Sequence, residues 1–353
     1  MTATDDAGWD RFVEASDPGS YLQLSGWARV KAVNGWTAHR IPAGPGGSAP
    51  MAAQILVRRP RPMPWGFAYA PRGPVASAWD ARGVEAFTAA VRDGLPAAAG
   101  RVSHVRIDPE IEADGPLDAG GAARDALAAA GWRPAPPIQP NATRIVDLRA
   151  DEDALWGDLR KKWRQYVNKA RTGGIEIVDA DGARLGEFYR IYRETADRAG
   201  FLIRAESAYR DVWDAFAPTG NARLLFAQTA DGDPQATLFL VRCGPRVVEP
   251  YGGMTAAGAD SRANYLLKWE AIRSSREAGA TSYDLWGLAT GGIDHFKTGF
   301  GGHEVRYIGA WDLVLSGVGR RAYELAQRAR VGWARRRGGI RDGASAAAYG
   351  GAD

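Results

Sequence analysis

Cysteine is nearly absent from this chain. One residue, Cys243, stands in 353, which excludes an intramolecular disulfide and a cysteine-based zinc site and fits a reducing compartment. Histidine is almost as scarce. His39, His104, His295 and His303 show no ligand spacing, so no metal site is expected. No run reaches the length of a bilayer span. Residues 1–8 are acidic and polar with no apolar core, so a leader peptide is not expected and the cytoplasm is. What is present is a core. Apolar residues make up 45% of the chain and 13 are Trp, a composition that excludes disorder. The length suits two domains.

Acid is missing from one segment and nearly so from another, although the chain is only +4 overall. Residues 159–171 carry Arg160, Lys161, Lys162, Arg164, Lys169 and Arg171 with no acid, and residues 320–341 carry eight Arg against Glu324. Together these segments are net +13, leaving the rest at −9. Such segregation predicts a polyanionic partner or membrane headgroups.

Periodicity predicts helices at 9–14, 23–33, 80–99, 118–130, 151–171, 186–199, 264–278 and 318–337, with 151–171 as one continuous helix. Strands are expected at 37–41 and 51–59 as a hairpin around 44–50, then at 67–75, 102–108, 139–148 and 175–179. Residues 223–229, 236–243 and 246–252 read as a meander. The order of helix, helix, strands, helix and strand occurs twice, which predicts two related α/β units. Residues 283–286 read as a short buried strand and 305–315 as a strand pair broken at Gly309. Between them lies a Gly-rich loop with one Lys, Lys297, flanked by Phe296 and Phe300. The glycines permit close backbone approach and the ammonium supplies a point charge, as an anion site requires. A plain turn with a solvated Lys satisfies the same residues.

Three stretches carry a resemblance. The first is Ser20-Tyr-Leu-Gln-x-x-x-Trp-x-x-x-Lys31-x-x-x-Gly-Trp36, and the second is Tyr69-Ala-Pro-Arg-Gly-Pro-Val75. The third runs from Asp284-Leu-Trp-Gly through Phe296-Lys-x-Gly-Phe-Gly-Gly302 to Tyr307-Ile-Gly-x-Trp-Asp-Leu-Val314. They resemble the FemABX peptidyltransferases, which use aminoacyl-tRNA to extend the peptide of a peptidoglycan precursor. The resemblance implies an α/β (α+β) fold of two tandem GNAT-like, acetyltransferase-type domains. Residues 1–147 with 304–340 form the first, 148–303 the second, and 341–353 a tail; no coiled-coil arm is expected. It implies an aminoacyltransferase with no cofactor, taking aminoacyl-tRNA as co-substrate. The acceptor would be UDP-MurNAc-pentapeptide or a lipid-linked muropeptide, met at or near the inner membrane surface through peripheral contact.

By the same resemblance Lys297 neutralises charge at the reacting centre and Phe296 packs the substrate or its loop. Lys31 and Arg204 hold the acceptor's diphosphate, with Tyr209 and Tyr251 beside it. Glu249-Pro250 stands where relatives often have another Tyr. Asp108, ending a strand at Pro109, is a weaker candidate to accept the amine proton; a turn-capping Asp fits equally. Arg160, Lys161, Arg164 and Arg171 would face tRNA phosphates, since Arg and Lys on phosphates give salt-dependent, sequence-independent affinity. Three other readings stand beside this one. A non-catalytic RNA-binding module leaves the Lys297 loop and the Tyr and Arg candidates unexplained. A peptide-bond-forming transferase of natural-product biosynthesis keeps the chemistry and changes the acceptor. An acetyl-CoA-dependent N-acetyltransferase needs a pyrophosphate loop at a helix start, for which Arg276-Glu-Ala-Gly-Ala-Thr281 is the nearest run.

Overall fold

The computed structural model describes residues 5–43, 51–288 and 292–336. The hairpin loop expected at 44–50, part of the Gly-rich stretch and the tail expected at 341–353 lie outside them. In chain order come α1 (Asp6–Ala15), α2 (Ser25–Ala32), β1 (Thr37–Ala43), β2 (Met51–Arg58), β3 (Gly66–Ala70), β4 (Val75–Ala76), α3 (Ala81–Ala99), β5 (Val102–Ile107), α4 (Ala122–Ala129) and β6 (Arg133–Ala135). Then follow β7 (Ala142–Asp147), α5 (Glu152–Asp158), α6 (Lys161–Thr172), β8 (Glu176–Ala180), α7 (Leu185–Ala199), α8 (Glu206–Phe216), β9 (Ala222–Gln228), β10 (Pro234–Cys243) and β11 (Arg246–Met254). The chain ends through α9 (Ala256–Ser261), α10 (Ala263–Glu277), β12 (Ser282–Asp284), α11 (Gly292–Thr298), β13 (His303–Arg306), β14 (Ala310–Val314) and α12 (Gly317–Arg336).

The chain divides into two units, Met1–Asn141 with Arg306–Asp353, and Ala142–Val305. Each is built on one mixed sheet. The first has strand order β1-β2-β3-β5-β14-β6, with β4 beside β2; the second has β13-β7-β12-β11-β10-β9-β8. Each sheet contains a parallel neighbouring pair, β3 with β5 and β11 with β12. A parallel pair requires a crossover, and the helices α3 and α10 lie between those strands in sequence. The repeated strand–helix–parallel strand is the GNAT arrangement, so the α/β expectation is met.

The helices form where apolar spacing permits. α3 buries Val84, Phe87, Val91 and Leu95 along one face, starts at Asp80, whose side chain accepts from the Gly83 amide, and ends at Gly100 with φ +71°. Its face covers the first core, with Ile55, Val105, Ile107 and Trp132. α10 is buried almost all round, at Leu266, Leu267, Trp269 and Ile272, and fills the second core with Leu238, Leu240, Tyr283 and Leu285.

Four expectations are corrected. β7 belongs to the second sheet, where Ile145, Val146 and Asp147 pair with β12, so the hand-over falls at 141/142 rather than 147/148. Val305 and Leu313 do not lie on paired strands: β13 neighbours β7 in the second sheet and β14 joins β5 and β6 in the first. Lys297 stands on a short helix, α11, rather than in a loop. The helix expected over 151–171 is broken at Leu159 and Arg160, both extended (ψ 139° and 140°). Tertiary bonds outweigh the helical pattern there. The Arg160 amide donates to Gly299 O at 3.0 Å, and the Arg164 guanidinium donates to the carbonyls of Trp156, Gly157 and Leu159 at 3.3, 2.6 and 2.6 Å.

Those carbonyls lie at the end of α5 and just past it, where the Leu159 amide, at 3.3 Å from Trp156 O, is the other donor. Arg164→Ala removes a charged donor worth about 1.5–3 kcal/mol. It should lower the melting temperature by roughly 3–10 °C, whereas Lys161→Ala, exposed on the same helix, should not. Equal melting of both variants by calorimetry would show that Arg164 does not cap α5.

Candidate functional site

Arg204, Tyr209 and Tyr251 come together in the second unit. The Arg204 amide donates to Tyr209 Oη at 3.1 Å, and the Tyr209 and Tyr251 rings meet edge-on at 5.0 Å. Tyr192 joins them, with centroids 5.6 Å from Tyr209 and 6.1 Å from Tyr251. Burial raises the pKa of all three hydroxyls, while the Arg204 charge opposes the rise. They therefore stay protonated as donors near neutrality. Arg204 is half-buried as a residue, and no ion pair to a carboxylate involves it among the described residues. Tyr192 was not singled out from sequence, although it follows Phe188 at i+4 on a helix whose buried face holds Phe188 and Ile191.

Tyr251 owes its direction to a bulge. Phe239 pairs with Tyr251 and Val241 with Val248, so Leu240 faces two residues, Glu249 and Pro250. A bulge re-aims the side chains beyond it and accommodates a proline that cannot donate. Glu249 turns into the core, paired with Lys268 Nζ and accepting from Tyr283 Oη at 2.7 Å. Lys268 is itself buried, 5.4 Å from the Phe296 ring centroid and 5.7 Å from that of Phe300. The Glu249-Pro250 departure is thus absorbed by a buried ion pair.

Lys297 and Phe296 share α11. Lys297 Nζ donates to the carbonyls of Trp286 and of Gly287, the latter at 2.7 Å. Trp286 has φ +48°, an uncommon conformation for a residue of its size. The preceding Asp284 is buried and accepts from Thr143 Oγ1, from Arg246, and from the Trp286 amide at 2.8 Å. Phe296 packs edge-on against Tyr265 and Phe300, 5.0 and 5.1 Å away. The glycines that follow serve packing. A Cβ at Gly299 would collide with the Trp163 ring, at Gly301 with the Asp158 carboxylate and at Gly302 with the Ile145 carbonyl.

The basic segment is partly engaged. Arg160 lies 3.2 Å from His295 Nδ1 and donates to Thr298 Oγ1 at 3.0 Å. Arg164 caps α5, and Arg171 pairs with Glu270 at 3.2 Å. Lys161, Lys162 and Lys169 are exposed. His303 is exposed on β13.

Lys31 and Asp108 belong to the first unit. Lys31 is buried on α2, its Nζ 5.2 Å from the Trp27 ring centroid. Asp108 is buried and accepts from Tyr69 Oη at 2.6 Å and from the amides of Arg72 and Gln139 at 2.7 and 3.3 Å. Arg72, at φ +54°, pairs with Glu110 at 3.2 Å and lies over the Tyr307 ring. Burial lifts Asp108 to about 6 despite these partners. His104 is buried and lowered to about 3 by desolvation, so it is neutral near pH 7. Among the described residues no cluster of three or more His, Cys, Asp or Glu could hold a metal, and no helix is long and apolar enough to cross a membrane. The run 276–281 ends α10 and leads to β12. It offers helix C-terminal carbonyls where a pyrophosphate needs N-terminal amides.

Two matching units of this kind define a tandem GNAT-fold protein, and comparison with known proteins agrees. Residues 157–298 match the acetyltransferase (GNAT) domain family, and residues 4–120 match the FemAB family. Lipid II:glycine glycyltransferase of Staphylococcus aureus is 28% identical over 227 residues, 62% of this chain and 52% of that protein. The chain thus matches about half the length of these curated relatives. The crystal structure of FemX superposes with a TM-score of 0.81 at 23% identity, covering 92% of this chain and 98% of that one. L-PGS from Bacillus licheniformis gives 0.53 at 12%, covering 92% and 96%. The FemAB match over residues 4–120 and the likeness to the glycyltransferases support the resemblance to the FemABX proteins.

Asp108 provides a pH test. Its folded pKa of about 6 exceeds the unfolded value of about 3.9, so the folded state binds its proton more tightly. That contribution is complete below about pH 4 and lost by about pH 6, a change on the order of 3 kcal/mol. Asp108→Asn abolishes the titration. Denaturant unfolding should show wild-type stability falling relative to the variant across that window and running parallel above it. Parallel curves throughout would mean that Asp108 is not perturbed.

Proposed function

We propose that the protein is an aminoacyltransferase that moves an amino acid from aminoacyl-tRNA to an amine on the peptide of a peptidoglycan precursor, UDP-MurNAc-pentapeptide or its lipid-linked form. The observation that carries this reading is the 227-residue likeness to proteins named lipid II:glycine glycyltransferase. The chemistry suits the residues. An aminoacyl ester is already activated, so the protein positions two substrates, stabilises an oxyanion and manages one proton. In this reading Arg204, with Tyr209 and Tyr251, contacts the acceptor's diphosphate, and Lys31 is a candidate anion contact of the first unit taken by itself. Lys297 contributes a fixed positive charge while holding the Trp286–Gly287 turn, and Phe296 supports α11. Asp108 orders the turn at Arg72 and stands as the weaker candidate for the proton. The tRNA contact falls to Lys161, Lys162 and Lys169, with Arg160 at the edge.

Single-turnover transfer from charged total tRNA to nucleotide-linked and lipid-linked muropeptides, read by mass spectrometry, tests the proposal. Product on a muropeptide amine is expected. Transfer only to another amine would move the protein to natural-product chemistry, and acetyl transfer from acetyl-CoA would overturn the donor. Lys297→Met should cost on the order of 10²–10³ in turnover. Arg204→Ala should weaken acceptor binding by about 1.5–3 kcal/mol, read by calorimetry. Wild-type values in both would place the site elsewhere.

The tRNA contact has its own measurement. Reversing Lys161 and Lys169 to Glu should weaken tRNA binding and reduce its salt slope by roughly one unit per lost phosphate contact. An unchanged slope would remove α6 from the interface.

A further inference from the structure

The helix α12 has two faces. One is anchored on the first unit. Arg320 bonds Asp312 at 2.7 Å and Glu324 at 2.9 Å. Tyr323 stacks on Phe67 with centroids 5.1 Å apart and meets His104 at 4.8 Å. Gly319 lies so close to Trp65 that a Cβ would collide with its ring. The other face is apolar and open: Val318 is 67% and Leu325 64% exposed, two of the four large hydrophobics exposed among the described residues. They stand at i and i+7, in one stripe. Arg321 and Arg328, also exposed and seven apart, run beside that stripe, about 60° around the helix. α12 contains six Arg and one acid, Glu324, which Arg320 engages.

An apolar stripe flanked by arginines, on a helix that does not span, is the arrangement that lies in a bilayer interface. A nucleic acid would take the arginines but gain nothing from Val318 and Leu325, because its affinity comes from phosphate charge. We propose that α12 seats the protein on an anionic lipid surface, with Val318 and Leu325 entering the acyl boundary and Arg321 and Arg328 on the phosphate headgroups. This deepens the reading of a cell-wall transferase by naming the face that would meet a lipid-linked acceptor. Vesicle binding is read without tRNA or acceptor, so either reading can fail alone.

Co-sedimentation of the full chain with phosphatidylcholine vesicles, with and without phosphatidylglycerol, tests it at physiological ionic strength. Binding is expected to need the anionic lipid. Val318→Ser with Leu325→Ser should reduce it without changing the melting temperature, since both side chains are exposed. Arg321→Gln and Arg328→Gln should each cost roughly fivefold and serve as the independent measure if the Ser pair perturbs folding. No binding to anionic vesicles, or equal binding to neutral ones, overturns the proposal. Wild-type vesicle binding in the Ser pair, or a loss of tRNA affinity without loss of vesicle affinity in the Arg variants, assigns the face to nucleic acid and overturns it too.

Discussion

The second unit depends on one buried carboxylate. An ionised group in a core must be fully satisfied, and Asp284 is satisfied only by drawing three segments together. Thr143 comes from β7, Arg246 from β11, and the Trp286 amide from the turn beyond. β12 is three residues long and pairs with β11 only at Arg246 to Val248. Its ladder alone is a weak tie, and the carboxylate holds what the ladder does not. The turn after it then has a fixed shape, with Trp286 at φ +48° and two carbonyls turned to Lys297. Lys297 is therefore placed by Asp284, through the backbone, as much as by its own helix.

β11 is organised by a second constraint. A regular strand would put Glu249 and Tyr251 on the same face. The extra residue opposite Leu240 separates them. Glu249 goes inward to Lys268 and Tyr283, and Tyr251 goes to Tyr192 and Tyr209. One inserted residue thus serves a buried ion pair and a tyrosine cluster on a single strand.

Elements whose instructions are local were legible in the sequence. α3 could be read from Val84, Phe87, Val91 and Leu95 with Asp80 before and Gly100 after, because spacing and caps lie within twenty-odd residues. The parallel pairs could be anticipated from the strand–helix–strand order. The break between α5 and α6 could not, since Leu159 continues the helical spacing and the force that extends Arg160 is a hydrogen bond to Gly299. The glycines after Lys297 were legible as places of close approach, but not what approaches: Trp163, Asp158 and Ile145 of the same unit. Partners of Asp284 and Glu249 stand 38 and 19 residues away, or on the far side of the unit. A lone acid in a sequence does not reveal which distant base will neutralise it.

Two arginines show how burial separates a structural charge from one available to a ligand. Arg72 in the first unit is buried and engaged by Glu110, by the Asp108 carboxylate at its amide, by Pro140 O and by the Tyr307 face. Its charge is spent on a turn at φ +54°. Arg204 in the second unit stands among three tyrosines whose hydroxyls burial keeps protonated, with no carboxylate partner among the described residues. Protonated hydroxyls beside a partly exposed cation suit an anion rich in oxygens. That asymmetry, rather than the presence of an arginine as such, is what favours Arg204 over Arg72 as the proposed diphosphate contact.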